Sequence, residues 1–167
     1  MKGKFTELQQ KAFQAIKEAV EGTRSQKLFY MDARGGTGKT FVLNRTLDYV
    51  RLLDEDSIGI GVAFTGIAAQ LLKGGRTFNS RFRFPLKPDN RSTCNISRQS
   101  GLAKLIRRAK VILWAEAPMS HIFSLEGLDR SLQDKMDDKR PFGGKVMILA
   151  GDFRQLPTVL EGGVKDK

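Results

Sequence analysis

The order of apolar and polar positions along the chain predicts helices and strands in alternation. Apolar residues recur at helical spacing from Phe5 to Val20, where Thr6 and Gln9 form a capping box and Gly22 can end the helix. The same spacing predicts further helices over residues 39–53, 67–72, 102–109 and 125–138. Short apolar runs predict strands over residues 27–32, 58–64, 110–114 and 145–151. This alternation predicts an α/β fold with a parallel sheet, helices on both faces, and ligands at the carboxyl ends of the strands.

One stretch, residues 81–100, does not follow either period. It contains Pro85 and Pro88 and a cluster of Asn, Ser and Thr residues. Prolines and small polar residues favour turns over helices and strands. We therefore predict an irregular connection before the helix over residues 102–109.

Length and composition indicate one globular domain. The chain has 167 residues, 40% hydrophobic and 28% charged, and no apolar run approaches the roughly 20 residues that span a bilayer. Cys94 is the only cysteine and His121 the only histidine, so the chain cannot build a disulfide or a Cys/His zinc site. We expect a soluble, intracellular monomer without membrane contact, and we interpret Cys94 and His121 as residues without a catalytic role.

Positive charge is concentrated in one part of the sequence. The net charge is +11, and residues 73–110 contain 11 basic residues and a single acid, Asp89, so this segment carries 10 of the 11 net charges. Such clustering is the electrostatic signature of a polyanion-binding surface. A solvated face that only keeps the protein soluble explains the charge equally well.

The strongest candidate for chemistry is the run ARGGTGKT, which extends from Ala33 to Thr40 between a predicted strand and a predicted helix. Glycines allow consecutive backbone N–H groups to face a phosphate, and the helix N-terminus adds the positive end of its dipole. We expect Lys39 to reach the β- and γ-phosphates of ATP and the Thr40 hydroxyl to bind Mg²⁺. Ala33 replaces the first glycine of the strict pattern, where a methyl group is tolerated. The alternative is a glycine-rich turn without a ligand.

A second candidate, ILWAEAP, ends the strand over residues 110–114. P-loop ATPases place an aspartate followed by a glutamate here, and this chain has Ala115 followed by Glu116. The aspartate helps to hold Mg²⁺, whereas the glutamate orients and deprotonates the attacking water. We therefore predict that Glu116 is catalytic. We also predict that the absence of the aspartate reduces ATP hydrolysis more than it weakens ATP binding. The alternative is that Glu116 is only a surface carboxylate.

A third candidate, GDFRQLPTV, follows the last predicted strand. Gln155 is placed to sense the γ-phosphate, although the motif is weak by itself and Arg154 can equally be a structural ion-pair partner. Its value comes from its position, because it follows the other two motifs at the same edge of the predicted sheet.

Several segments together resemble the amino-terminal motor lobe of PIF-type DNA helicases, in the form found in Helitron-type transposons. They are FTELQQKAF, FYMDARGGTGKT, AFTGIAAQLLKGGRTFNSRFRFP, STCNISRQS, ILWAEAPM and PFGGKVMILAGDFRQLPTV. The resemblance implies a single RecA-like lobe over residues 1–167, which uses ATP and Mg²⁺ and moves 5′ to 3′ on single-stranded DNA. It further implies roles in DNA recombination, repair and telomere maintenance, in the nucleus or mitochondrion if the source is eukaryotic.

The resemblance also assigns residues to roles by position. Gln9 would contact the adenine, Gln155 the γ-phosphate, and the phosphates would lie on Gly35, Gly36, Thr37, Gly38, Lys39 and Thr40. The DNA backbone would lie along Thr65, Gly66, Thr77, Asn79 and Ser80, although Asn79 replaces the histidine usual in this family.

The basic segment extends this DNA path. Arg81 and Arg83 alternate with Phe82 and Phe84, an order that can present charge on one face and rings on the other. We expect the arginines to meet phosphates. The favoured interpretation of Phe82 and Phe84 is core packing, and base stacking is the alternative.

Three functional hypotheses are compatible with these motifs. The first is the motor lobe of an ATP-dependent DNA helicase, and the second is a catalytically silent module that binds nucleotide or single-stranded DNA. The third is a P-loop ATPase unrelated to DNA. Because Ala115 replaces an aspartate and no second lobe follows in the sequence, we expect the isolated chain neither to unwind DNA nor to hydrolyse ATP at a helicase-like rate.

Overall fold

The computed structural model describes residues 3–32, 34 and 38–152. Helices and strands alternate through most of this range, as the sequence predicts. The elements are α1 (Glu7–Glu21), β1 (Leu28–Asp32), α2 (Lys39–Leu53), β2 (Ile58–Ala63), α3 (Gly66–Leu71), β3 (Arg76–Thr77), α4 (Phe78–Phe82), α5 (Gly101–Arg108), β4 (Ala109–Ala115), α6 (Ile122–Met136) and β5 (Val146–Gly151). Single 3₁₀ turns cover Ala117–Met119 and Pro141–Gly144.

The five strands form one parallel sheet in the order β1-β5-β4-β2-β3. In this order β4 is the central strand, and its register pairs Trp114 with Val62 on one side and with Leu149 on the other. Helical crossovers connect the strands, as parallel pairing requires. The prediction of a parallel α/β sheet is confirmed.

Apolar side chains are buried on both faces of the sheet. One cluster includes Phe82, Ile106 and Leu128 from α4, α5 and α6, packed with Trp114 of β4. The other joins α1, α2 and α3 to the opposite face, with Ile16, Leu43, Leu47, Ala69 and Leu72 among its members. Strands covered on both faces read as continuous apolar runs, which explains why β4 and β5 are visible in the sequence.

The first helix begins and ends as its sequence predicts. The Thr6 hydroxyl accepts a hydrogen bond from the Gln9 backbone N–H at 3.3 Å, and the Gln9 side-chain oxygen accepts one from the Thr6 N–H at 2.9 Å. Gly22 ends the helix with φ of 84°, a conformation that costs glycine little. The capping box therefore fixes the position of Gln9 at the start of α1.

Residues 78–82 form a helical turn, so the first two residues of the predicted irregular connection, Arg81 and Phe82, belong to α4. The rings of Phe82 and Phe84 are buried, whereas Arg81 is half-buried and Arg83 is exposed. Arg83 then has φ of 49°, which reverses the chain and returns Phe84 to the core beside Phe82. Core packing of both rings, the favoured interpretation, is confirmed.

Beyond α4, residues 84–100 contain neither helix nor strand, in agreement with the prediction of an irregular connection. Hydrogen bonds tie this connection to α6, among them those from the Cys94 N–H to the Ser131 hydroxyl at 2.8 Å and from the Arg98 guanidinium to the Asp134 carboxylate at 2.8 Å. Burial raises the pKa of the Cys94 thiol to about 11, so this thiol resists ionisation.

The His121 ring has a structural contact. Its Nδ1 atom accepts a hydrogen bond from the Phe123 N–H at 3.0 Å and caps the start of α6.

No helix within the described ranges has the length and apolar content needed to cross a membrane.

Candidate functional site

The carboxyl ends of the parallel strands meet at one edge of the sheet. Gly38 lies between β1 and α2, Thr65 follows β2, Glu116 follows β4, and Asp152 follows β5. Parallel α/β sheets bind their ligands at this edge. The fold therefore brings segments far apart in the sequence to a common edge.

The predicted phosphate loop lies between β1 and α2, as expected. Gly38 is the N-cap of α2 with φ of 85° and ψ of 22°, a conformation suited to glycine. The Lys39 ammonium donates a hydrogen bond to the Arg34 carbonyl at 3.1 Å, so it folds back towards the loop. Thr40, the second residue of α2, is half-buried. Ala33, Gly35, Gly36 and Thr37 lie outside the described residues.

Gln9 lies directly against this loop. Its side-chain amide occupies the space where a Cβ atom on residue 38 would be, so any side chain at that position would collide with it. The capping box holds Gln9 in this place through the Thr6 N–H. The amino end of α1 and the amino end of α2 thus meet at the glycine that opens α2. The positive φ of Gly38 and the Gln9 amide beside it give a glycine-dependent turn at the helix start, which suits a site built for backbone contact with phosphate.

Glu116 lies just beyond the end of β4 in an uncommon backbone conformation, with φ of 56° and ψ of 27°. Its carboxylate accepts a hydrogen bond from the Thr65 hydroxyl at 2.8 Å. Both side chains are half-buried. They are neighbours because the β2–β4 register pairs Ala63 with Ala115.

The position expected to hold a magnesium ligand has no oxygen-bearing side chain. Ala115 ends β4, and its methyl group cannot bind a cation. Within residues 3–32, 34 and 38–152, no three His, Cys, Asp or Glu side chains are grouped as metal ligands. Magnesium bound here would depend on the Thr40 hydroxyl and on oxygens of the nucleotide, a pattern that Mg²⁺ tolerates because it keeps several waters.

The residues predicted to follow DNA lie at the ends of β2 and β3. Thr65 caps α3, which begins at the exposed Gly66, and the Thr77 hydroxyl caps α4 by accepting from the exposed Ser80 N–H at 3.3 Å. β3 extends the sheet beside β2, with Thr77 opposite Ala63. The two threonines are therefore brought to the same edge of the sheet.

Asn79 has a clear structural contact. Its side-chain amide donates to the Phe84 and Pro85 carbonyls, each at 3.2 Å, and so closes the turn after α4. A role of Asn79 on DNA stays a prediction.

The two arginines of the predicted DNA path differ in their surroundings. Arg83 is exposed, whereas Arg81 is half-buried and its Nε atom is buried without a hydrogen-bond partner among the described residues. Burial, and secondarily the positive charge of Arg76, lower the pKa of Arg81. Because the Nε atom is buried, an incoming phosphate would have to meet the terminal NH₂ groups of the Arg81 guanidinium.

One feature of this edge cannot be read from the sequence. The Thr65–Glu116 hydrogen bond joins residues 51 positions apart, and it requires that β2 and β4 be neighbours. Asp152, in the motif that follows the last predicted strand, also reaches this edge at the end of β5. Arg154 and Gln155 lie outside the described residues, so the γ-phosphate role of Gln155 stays a prediction.

Comparison with known proteins identifies the family. The profile described as PIF1-like helicase matches residues 4–167. The chain is 29% identical over 152 residues to ATP-dependent DNA helicase Pif1 of Psychrobacter sp., a match that covers 89% of this chain and 22% of that protein. It is 31% identical over 150 residues to the protein of the same name from Bdellovibrio bacteriovorus, covering 89% of this chain and 33% of that protein.

A solved structure supports the same relationship. The crystal structure of Bacteroides Pif1 bound to ssDNA is 25% identical and matches with a TM-score of 0.73, covering 98% of this chain and 36% of that chain. This chain spans 22% of the length of the Psychrobacter protein and 33% of the length of the Bdellovibrio protein. Because the family profile covers all but the first three residues, the chain belongs to the PIF1-like helicase family.

Proposed function

We propose that this chain forms the RecA-like motor lobe of an ATP-dependent 5′–3′ DNA helicase, and that it binds MgATP and single-stranded DNA at the carboxyl edge of its sheet. The observation that carries the proposal is the cradle at the start of α2, where Gln9 closes over Gly38 and Lys39 turns towards the loop. Family membership supports the same assignment. The lobe acts inside the cell, as a monomer.

The nucleotide would lie across the amino end of α2. Backbone N–H groups from Gly35 to Gly38 and the helix dipole would hold the phosphates, with Lys39 on the β- and γ-phosphates. The Gln9 amide, placed beside Gly38, would meet the adenine. Thr40 would bind Mg²⁺, and ATP would supply the reactive phosphoryl group.

The hydrolytic step would use Glu116 and Gln155. Glu116 would orient and deprotonate the attacking water, and Gln155 would contact the γ-phosphate. Ala115 favours a second candidate function, a lobe that binds ATP and DNA without rapid turnover, because a magnesium ligand is missing from the end of β4.

Restoring the carboxylate provides a direct test of the defect at β4. We expect Ala115→Asp to strengthen magnesium-dependent binding of ATP by about tenfold or more, because Mg²⁺ in such sites is held by one or two carboxylates together with the phosphates. The measurement is nucleotide affinity as a function of magnesium concentration, with ATP hydrolysis followed in parallel.

Ala115→Asn is the matched control, since it has nearly the same size and lacks the negative charge. Equal magnesium dependence in the Asp and Asn variants would show that this position does not approach the metal. A gain in binding without a gain in hydrolysis would place the remaining defect elsewhere in the motor.

Single-stranded DNA would run past the ends of β2 and β3. Hydroxyl, amide and backbone groups of Thr65, Gly66, Thr77, Asn79 and Ser80 would meet its phosphates, and Arg81 and Arg83 would add charge. The similarity to the Bacteroides Pif1 structure bound to ssDNA supports this assignment.

The DNA path predicts a specific salt dependence. We expect Arg81→Ala and Arg83→Ala each to weaken binding of oligothymidylate and to reduce the slope of log affinity against log salt by about 0.7, the value for one lost phosphate contact. Fluorescence anisotropy across a salt series measures both quantities.

Lys104→Ala is the control, because it removes one exposed positive charge on α5 that is not among the residues proposed to contact DNA. It should leave the slope unchanged. Binding that does not weaken with salt, or an equal loss in all three variants, would contradict the proposed path and favour a P-loop ATPase unrelated to DNA.

A further inference from the structure

The Thr65 hydroxyl lies between the two proposed functions of the lobe. It donates to the Glu116 carboxylate at 2.8 Å and accepts from the Ala68 N–H at 3.3 Å. A threonine hydroxyl has a single proton, and a carboxylate can only accept. Thr65 can therefore donate to one acceptor at a time.

The backbone on both sides holds this pair in place. Thr65 has an extended conformation, with φ of −101° and ψ of 154°, whereas Glu116 has φ of 56°, which is uncommon for a residue with a side chain. The paired strands β2 and β4 end at Ala63 and Ala115, one or two residues before the contact. Because both side chains are half-buried, their hydrogen bond is partly shielded from water. The bond is therefore a defined state of the free lobe.

We propose that Thr65 is a positioning residue that couples DNA binding to the catalytic carboxylate. Without DNA, its hydroxyl holds Glu116 in the observed position. When a DNA phosphate arrives, the hydroxyl donates to the phosphate oxygen, and Glu116 is released to turn towards the water at the nucleotide. The inference rests on the proposed function, since it requires that Thr65 face DNA and that Glu116 serve the hydrolytic step.

Reciprocity makes the proposal measurable without ATP turnover. If DNA and Glu116 compete for one hydroxyl proton, DNA has to break the Thr65–Glu116 hydrogen bond in order to bind. Removal of the Glu116 carboxylate must then strengthen DNA binding by the free energy of that hydrogen bond. Removal of a negative charge near DNA also strengthens binding through space. The competitive part disappears when residue 65 has no hydroxyl, whereas the through-space part does not.

A double-mutant cycle separates these two effects. The proteins are wild type, Glu116→Ala, Thr65→Val and the double variant, and the measurement is the dissociation constant for a labelled oligothymidylate without nucleotide. We expect the tightening by Glu116→Ala to be about fivefold greater when Thr65 is present than in the Thr65→Val background. That factor corresponds to a net hydrogen-bond free energy of about 1 kcal/mol.

Two controls exclude a general loss of structure. Thr65→Val also removes the cap of α3, so circular dichroism and urea unfolding must show that the variant folds. Thr65→Ser retains the hydroxyl, and in its background Glu116→Ala must tighten binding as it does in wild type. A structural role of Thr65 alone would not reproduce this dependence on the carboxylate.

The outcomes distinguish the inference from the proposed function. If wild type binds no single-stranded DNA, the proposed function fails and the coupling fails with it. If wild type binds DNA and Glu116→Ala has the same effect in the Thr65 and Thr65→Val backgrounds, only the coupling is overturned.

Discussion

Replacement of Trp114 with alanine is expected to lower the free energy of unfolding by about 3 to 5 kcal/mol, the range for loss of a buried aromatic ring. Trp114 is fully buried in the central strand β4. Its ring stacks on Phe78 of α4, with centroids 4.1 Å apart and an angle of 5° between the planes. The pair joins the strand that leads to Glu116 to the helix that follows Thr77.

Urea unfolding monitored by circular dichroism measures this effect, since the variant lacks the only tryptophan. Leu52→Ala is the control, because Leu52 is 84% exposed and its truncation should change stability by less than about 0.5 kcal/mol. Trp114→Phe should be milder than Trp114→Ala, because it keeps an aromatic ring and removes an indole N–H that has no partner within the described structure. Equal stability of Trp114→Ala and wild type would contradict the packing described for β4 and α4.

The elements with strong local signals could be predicted from the sequence. α1 follows from its apolar spacing and from the capping box of Thr6 and Gln9, which act within one turn. β4 and β5 follow from continuous apolar runs, because strands covered on both faces need apolar side chains at every position. The start of α2 at Lys39 follows from Gly38, which the sequence places between an apolar run and a helical period. In each case the determining contacts are local or uniform along the element.

The parts that could not be predicted depend on contacts distant in sequence. β3 has two residues and is a strand only because it pairs with β2. α4 is a single helical turn that buries Phe78 and Phe82, and a five-residue segment is too short to show a period.

The Thr65–Glu116 contact depends on the sheet order, which places β4 beside β2 and does not follow from the order of elements along the chain. The central strands were therefore predictable, and the contact between Thr65 and Glu116 was not.

Loss of the Lys39 ammonium is expected to have the largest effect on ligand binding. Lys39 begins α2, next to the cradle formed by Gly38 and Gln9, and its hydrogen bond to the Arg34 carbonyl directs it to the loop. An ammonium placed on the β- and γ-phosphates contributes charge-assisted hydrogen bonds that alanine cannot replace. Because the proposed site has no second positively charged side chain on the β- and γ-phosphates, we expect Lys39→Ala to weaken ATP binding by about 100-fold, or about 3 kcal/mol.

Titration of the chain with a fluorescent, non-hydrolysable ATP analogue in the presence of Mg²⁺ tests whether the start of α2 and Lys39 bind the triphosphate. Lys104→Ala serves as the matched charge-deletion control. We expect saturable binding of the analogue in wild type and in Lys104→Ala. Binding should be lost over the same concentration range in Lys39→Ala, provided that this variant keeps the wild-type circular dichroism spectrum. Absence of saturable binding in wild type, or equal affinity in Lys39→Ala, would contradict the proposed phosphate site.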